Sequence, residues 1–254
     1  MPARSATEDR SVLTRPAAPP DEVLRYGPAA EQVADVRLAV GAPDGHPLLV
    51  VVHGGFWRPA YDRAHLGPMT EALALAGWST VAPEYRRVPG RPDLAVEDVH
   101  AALRAVAGRA DLTGGRGVLL AGHSAGGHLA LQVAATTAAA WAPAGVLALA
   151  PVADLRLGQA LGLDGDAVAS FLGEDAAARP DLDPARLAAP AAPVRIVHGT
   201  GDAVVPVALS ESYVRRHPAA VLVPVPAGHF AVIDPRAAAW PAVLAVLEDL
   251  GRPG

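Results

Sequence analysis

The chain has 254 residues, 51% of them hydrophobic, enough to bury a substantial core, and a net charge of -5. The acidic balance argues against nucleic acid as a partner, because nucleic acid rewards concentrated basic surface. There is no cysteine, which excludes disulfides, thiolate nucleophiles and cysteine-ligated metals.

Residues 1–30 are polar and proline-containing and read as a lead-in, with no apolar stretch of the kind a secretory leader carries. From residue 31 to 254 apolar runs alternate with helical segments, as expected of a single domain. "PLLVVVH" is strand-like, "PMTEALALAG" is helical with a glycine stop, and "WSTVAPEY" is again strand-like. "PDLAVEDVHAALRAVAG" is an amphipathic helix with proline near its start and glycine near its end. "RGVLLAG" reads as a buried strand, Gly126 to about Ala135 as a helix, and "AGVLALAPV" as the next strand. Residues 154–190 break the rhythm as an acidic, loop-rich insertion with short helical pieces such as "DAVASFL". The alternation resumes with "APVRIVHG", a helix over about 207–216, "AVLVPVPAG" and a last helix over about 236–250.

Strands that are apolar throughout and separated by helices indicate an α/β fold, a mostly parallel sheet covered on both faces. Leu129 to Ala153 contains no charge, but Thr136, Thr137, Pro143 and Pro151 interrupt it, so a helix end, a loop and a buried strand explain it better than a membrane span. The expectation is a soluble, cytoplasmic protein that does not enter a membrane. Its oligomeric state is left open, a homodimer included.

Ligands of such sheets bind at the carboxyl ends of the strands, and that rule selects residues. After "RGVLL" comes Gly122-His123-Ser124-Ala125-Gly126, a G-x-S-x-G pattern between a strand and a helix, where serine sits on a tight turn and becomes a nucleophile. Serine needs a base. Of nine histidines, His229 directly follows the last apolar strand and a glycine, in "PAGHFAV". His53, His123 and His198 lie in tight turns and read as structural, and His128 as packed beneath the serine turn. His46, His65, His100 and His217 read as residues of polar loops or helix surfaces. Asp202, in "GTGDAVVP" one strand before His229, suits the third role of orienting the imidazole, with Asp154 as its rival. In "HGGFW", two glycines allow backbone amides to turn inward, so Gly55 and Phe56, with Ala125 after the serine, are the expected oxyanion donors. Phe56 and Trp57 could wall a substrate pocket, or Trp57 could instead pack its loop against the core.

"HGGFW", "GHSAGGHLA", "HGTGDAVVP" and "GHF", in this order, resemble the α/β-hydrolase superfamily over roughly residues 26–250. Within it they are most similar to the kynurenine formamidase (arylformamidase) group and small bacterial carboxylesterases. The resemblance implies a Ser124–Asp202–His229 triad, an oxyanion hole from Gly55, Phe56 and Ala125, no metal and no cofactor, and a cap at 154–190. It implies acyl-enzyme cleavage of a small-molecule ester or amide. The competing expectation is a ligand-binding protein that keeps the scaffold without catalysis.

Overall fold

The apolar runs of the sequence become the middle of one sheet. The computed structural model describes residues 8–41 and 45–252. Positions 1–7 of the expected lead-in, like 253–254 at the end of the expected domain, lie outside the described residues. The strands are β1 (Glu22–Arg25), β2 (Val33–Arg37), β3 (Leu48–Val52), β4 (Thr80–Pro83), β5 (Val118–His123), β6 (Gly145–Leu149), β7 (Val194–Gly199) and β8 (Val221–Val225). Among the described residues these eight strands pair in the order β1-β2-β4-β3-β5-β6-β7-β8. From β4 through β3 to β8 every pairing is parallel, while β1 and β2 join antiparallel at one edge.

The helices are α1 (Gly67–Leu75), α2 (Pro92–Ala107), α3 (Ala110–Thr113), α4 (Ala125–Thr136), α5 (Leu155–Ala160), α6 (Ala167–Leu172), α7 (Ala208–Arg216) and α8 (Trp240–Gly251). They cover both faces, which is why the central strands are apolar at every position. Leu48, Val50 and Val52 point into one buried cluster with Val99 and Leu103 of α2 and Leu129 of α4. Leu49 and Val51 point into the other, with Met69 and Leu73 of α1 and Val243 and Leu247 of α8. Helix α2 shows how sequence sets such an element. Ala95, Val99, Ala102, Leu103 and Val106 form its buried stripe at helical spacing, Asp93 sits in its first turn and Arg104 in its last.

Two parts go beyond what the apolar runs announce. The polar N-terminal segment packs against the body of the fold from Glu8 onward. Ser11–Thr14 form a short 3₁₀ turn with Val12 buried, Arg15 pairs with Asp234 at 2.5 Å, and β1 adds a strand to the sheet. Two isolated apolar residues, Val12 and Leu13, carry too little periodicity to announce this. Strand β2 alternates half-buried with buried positions, the pattern of an outer strand rather than a central one.

The 154–190 segment supplies α5, α6 and a 3₁₀ turn over Ala176–Ala178. It touches the loop after β3 at two places. Phe171 stacks on Trp57 at 4.3 Å between ring centroids, and Asp164 pairs with Arg58 at 3.0 Å.

Candidate active site

The parallel strands all end at the same side of the sheet, and five of the loops leaving that side carry residues singled out above. Ser124 links β5 to α4 with φ 55° and ψ -118°, a conformation strained for a residue with a side chain. The turn is held from outside: the Ser124 N–H donates to Leu149 O at 2.8 Å, and its own carbonyl accepts from Val152 N at 3.2 Å. Space forces the glycine at 126. A Cβ there would lie 2.1 Å from Val52 O and 2.4 Å from His53 O, so only a glycine lets α4 start against the end of β3. The amide dipoles of α4 thus converge on the serine turn.

Asp202 follows β7 and His229 follows β8. The Asp202 side chain has no exposed surface, and its Oδ2 accepts the His229 Nδ1 proton at 2.7 Å. Its Oδ1 accepts the N–H groups of Val204 at 2.8 Å and Val205 at 2.7 Å. His198 brings a fourth group, its Nε2 lying 3.3 Å from Oδ2. Burial alone would raise the carboxyl's pKa. The hydrogen bonds from His198 and His229, the charge at His229 and the Val205 amide together outweigh it and hold Asp202 well below the usual carboxylate range. Asp202 is therefore an anion that fixes the His229 ring with Nδ1 as donor, which leaves Nε2 as an acceptor in the neutral ring.

The loop after β3 completes the wall. Gly55, Phe56 and Trp57 follow one another with positive φ values of 108°, 48° and 55°. This turns three successive peptide units away from the ordinary extended course and lays the loop beside Ser124. A Cβ on the neighbouring Gly54 would come within 3.0 Å of Ser124 Cβ. Gly55, Phe56, Ser124 and His229 line one cavity of about 110 Å³ together with Phe230 and Tyr61. Ala125, buried, is the first residue of α4 and follows the serine directly.

Trp57 does not line that cavity. It is 3% exposed, stacked on Phe171 and set edge-on to His128 at 5.1 Å, a packed position of the kind the alternative described. Asp154, the rival carboxylate, caps α5 through Leu157 N at 2.9 Å and accepts Ser212 Oγ at 2.6 Å. Its hydrogen bonds do not go to His229.

Burial lowers the pKa of His53, His65, His100, His123 and His128. His128 bonds Leu182 O at 2.8 Å through Nε2, and burial pushes its pKa down to about 4. His123 is pushed well below its ordinary range by burial and by the neighbouring His229, and its Nε2 lies 3.1 Å from His229 O. His65 and His217 are buried rather than on the surface, at 8% and 7% exposure. His65 lines the cavity, and burial pushes its pKa down to about 3. His53, at the end of β3, sits 2.8 Å from Glu84 Oε1 in a network that ties β3 to β4. Among the described residues no group of three or more acidic or imidazole side chains could hold a metal ion, and no helix is long and apolar enough to cross a membrane.

Three residues of the site were invisible to sequence reasoning. Glu8, Arg10 and Leu13 reach it from the N-terminal segment. Glu8 accepts the His229 N–H at 2.9 Å, Arg10 lies over the Phe230 ring at 5.2 Å, and Leu13 lines the cavity with Arg10. Nothing in "TEDRSVLT" marks them, because the contacts span more than two hundred positions of chain.

A family model described as alpha/beta hydrolase fold matches residues 49–207. Among curated proteins, kynurenine formamidase of Danio rerio is 33% identical over 112 residues, which is 44% of this chain and 37% of that protein. The match thus spans little more than a third of that relative's length. Among solved structures, esterase B of Lactobacillus rhamnosis superposes with a TM-score of 0.72 at 23% identity, covering 93% of this chain and 88% of that one. An esterase of Thermogutta terrifontis, Est2, gives 0.69 at 22% identity over 91% and 92% of the two chains. At such identities the structural likeness speaks for the fold.

Proposed function

The chain belongs to the alpha/beta hydrolase fold family, and from that premise we propose that it is a serine hydrolase acting on a carboxylic ester or a small amide, N-formyl amides included. One observation carries the reading. Ser124, on its strained turn, shares a cavity with His229, and the Nδ1 of His229 is bonded to the buried Asp202 carboxylate.

In the proposed cycle Ser124 Oγ forms a bond to the substrate carbonyl carbon while His229 Nε2 takes the hydroxyl proton. The carbonyl π pair moves onto oxygen, and the N–H groups of Gly55, Phe56 and Ala125 stabilise that oxyanion. Each such donor is typically worth about a hundred- to a thousandfold in rate. The pair then re-forms the carbonyl, the bond to the leaving group breaks, and His229 returns its proton to that group. Water adds to the acyl-serine by the same two steps, so R–CO–X and H₂O become R–COOH and HX. Asp202 stays ionised throughout and stabilises the imidazolium.

The size of the cavity supports a small acyl group. At about 110 Å³ it falls well below the roughly 300–1,000 Å³ of sites for drug-sized ligands. Segment 154–190, which touches the loop after β3 through Phe171 and Asp164, would then act as a cap that sets the leaving group. The Danio rerio relative favours a formamide within the same class. The test is a side-by-side assay of p-nitrophenyl esters of increasing acyl length and N-formylkynurenine. Turnover of acetate or formyl substrates that vanishes in Ser124→Ala is the expected result, and turnover that survives this substitution would remove Ser124 from the reaction.

A further inference from the structure

We propose that Glu8 is a positioning residue of the site, a carboxylate staple that holds the Asp202 loop and the His229 loop in one fixed relation. The inference rests on the hydrolase reading for its effect on rate, though not for its geometry. Asp202 and His229 sit at the ends of different strands, on loops that are joined by one main-chain hydrogen bond, Gly201 N–H to Ala227 O at 3.0 Å. Glu8 Oε2 accepts the backbone N–H of His229 at 2.9 Å, and Oε1 accepts the N–H of Ala203, next to Asp202, at 3.0 Å. A single carboxylate thus bridges the main chains of both partners of the 2.7 Å His229–Asp202 bond.

The local sequence is shaped around this carboxylate. A Cβ at residue 228 would stand 2.2 Å from Glu8 Oε2, so Gly228 leaves the room the carboxylate occupies. Glu8 is in turn delivered to this place by its own segment. Val12 is 1% exposed in the core beneath, and Arg15 grips Asp234 through two hydrogen bonds of 2.5 and 2.9 Å. Glu8 borders an open groove of about 690 Å³ with Gly201, Gly228 and Asp234, so its bridge adds to the Gly201–Ala227 hydrogen bond between the two loops at a solvent-facing rim. Hydrogen bonds from amides to a charged acceptor are about twice as strong as neutral ones, and an error of about 1 Å in the placement of a proton-transfer group can cost a hundredfold.

Two independent substitutions break the staple. Glu8→Ala removes the acceptor, and Gly228→Ala evicts it by filling its space. Each is expected to lower kcat on p-nitrophenyl acetate about ten- to a hundredfold with KM nearly unchanged. Glu8→Gln, which keeps one acceptor, should fall between wild type and Glu8→Ala. The double variant should be no worse than Glu8→Ala alone, because the three atoms nearest to the new methyl group all belong to the Glu8 carboxylate. A second readout needs no substrate: the downfield proton resonance of the His229 Nδ1–H···Asp202 bond should broaden or vanish in both single variants while melting temperature is largely kept. If kcat and this resonance are unchanged, or if melting temperature alone falls, Glu8 is a structural contact and the proposal is overturned. Should wild type hydrolyse none of the substrates, the hydrolase reading fails, and the resonance still decides for or against the staple.

Discussion

Replacing Asp202 by asparagine tests the central hydrogen-bond chain with almost no change of shape. The Asp202 Oδ1 is committed to the amides of Val204 and Val205, at 2.8 and 2.7 Å. An asparagine will keep its carbonyl there, which turns its NH₂ group toward His229 Nδ1. Two donors cannot face each other, so the imidazole must carry its proton on Nε2 and can no longer accept one from Ser124. In a serine protease the same change costs about ten thousandfold in kcat, or about 5.4 kcal/mol of barrier at 1.36 kcal/mol per factor of ten. The fold should lose less, about 1.5–3 kcal/mol for one charge-assisted hydrogen bond, or roughly 3–12 °C in melting temperature for a chain of this size. Initial rates with p-nitrophenyl acetate, read beside a thermal melt, separate the two effects. A variant retaining more than about a tenth of wild-type kcat would show that the carboxylate does not set the tautomer, and the reasoning from its geometry would fall.

Three further outcomes follow from the same contacts. Asp202 has a folded pKa well below its ordinary value of about 3.9. The stability it contributes is therefore complete above that value and lost as pH falls through the lower folded one; melts of wild type and Asp202→Asn should differ most near neutral pH and converge in acid, and a gap that widens in acid would contradict the assignment. Gly126→Ala drives a methyl group into the Val52 and His53 carbonyls at 2.1 and 2.4 Å, so it should cost about 3 kcal/mol or more and abolish turnover, whereas an active, equally stable variant would mean that α4 can start elsewhere. Trp57→Ala removes a ring stacked at 4.3 Å on Phe171 and should cost about 3–5 kcal/mol of stability while leaving KM for the smallest ester little changed; a large rise in KM with an unaltered melt would put Trp57 back on the pocket wall.

The parts of the fold that could be read in the sequence are those where every residue of a strand is buried. "LLVVV", "VLLAG" and "GVLAL" have helices on both sides and little freedom to include polar residues, so their order alone announces a parallel sheet. Strand β1 at the edge and β2 beside it are partly exposed, and their polar composition hid them. At the site, Ser124, Asp202 and His229 were legible because glycine-rich turns at strand ends restrict what a residue there can do. Trp57 and Phe56 are neighbours of equal apparent promise, and only the insertion that supplies Phe171 separates a packed ring from a lining one. His65 and His217 look like surface residues because the elements covering them are far away in the chain. Glu8 is the extreme case: a lone glutamate in a polar stretch, given meaning by two backbone amides from distant loops.

The most direct measurement of the central claim is labelling with a fluorophosphonate followed by mass spectrometry of the proteolysed chain. The account predicts a single adduct on the peptide containing Ser124, stoichiometric with the loss of ester turnover and absent from Ser124→Ala. An unlabelled Ser124 in a chain that still hydrolyses esters, or an adduct on another residue that tracks the loss of activity, would contradict it.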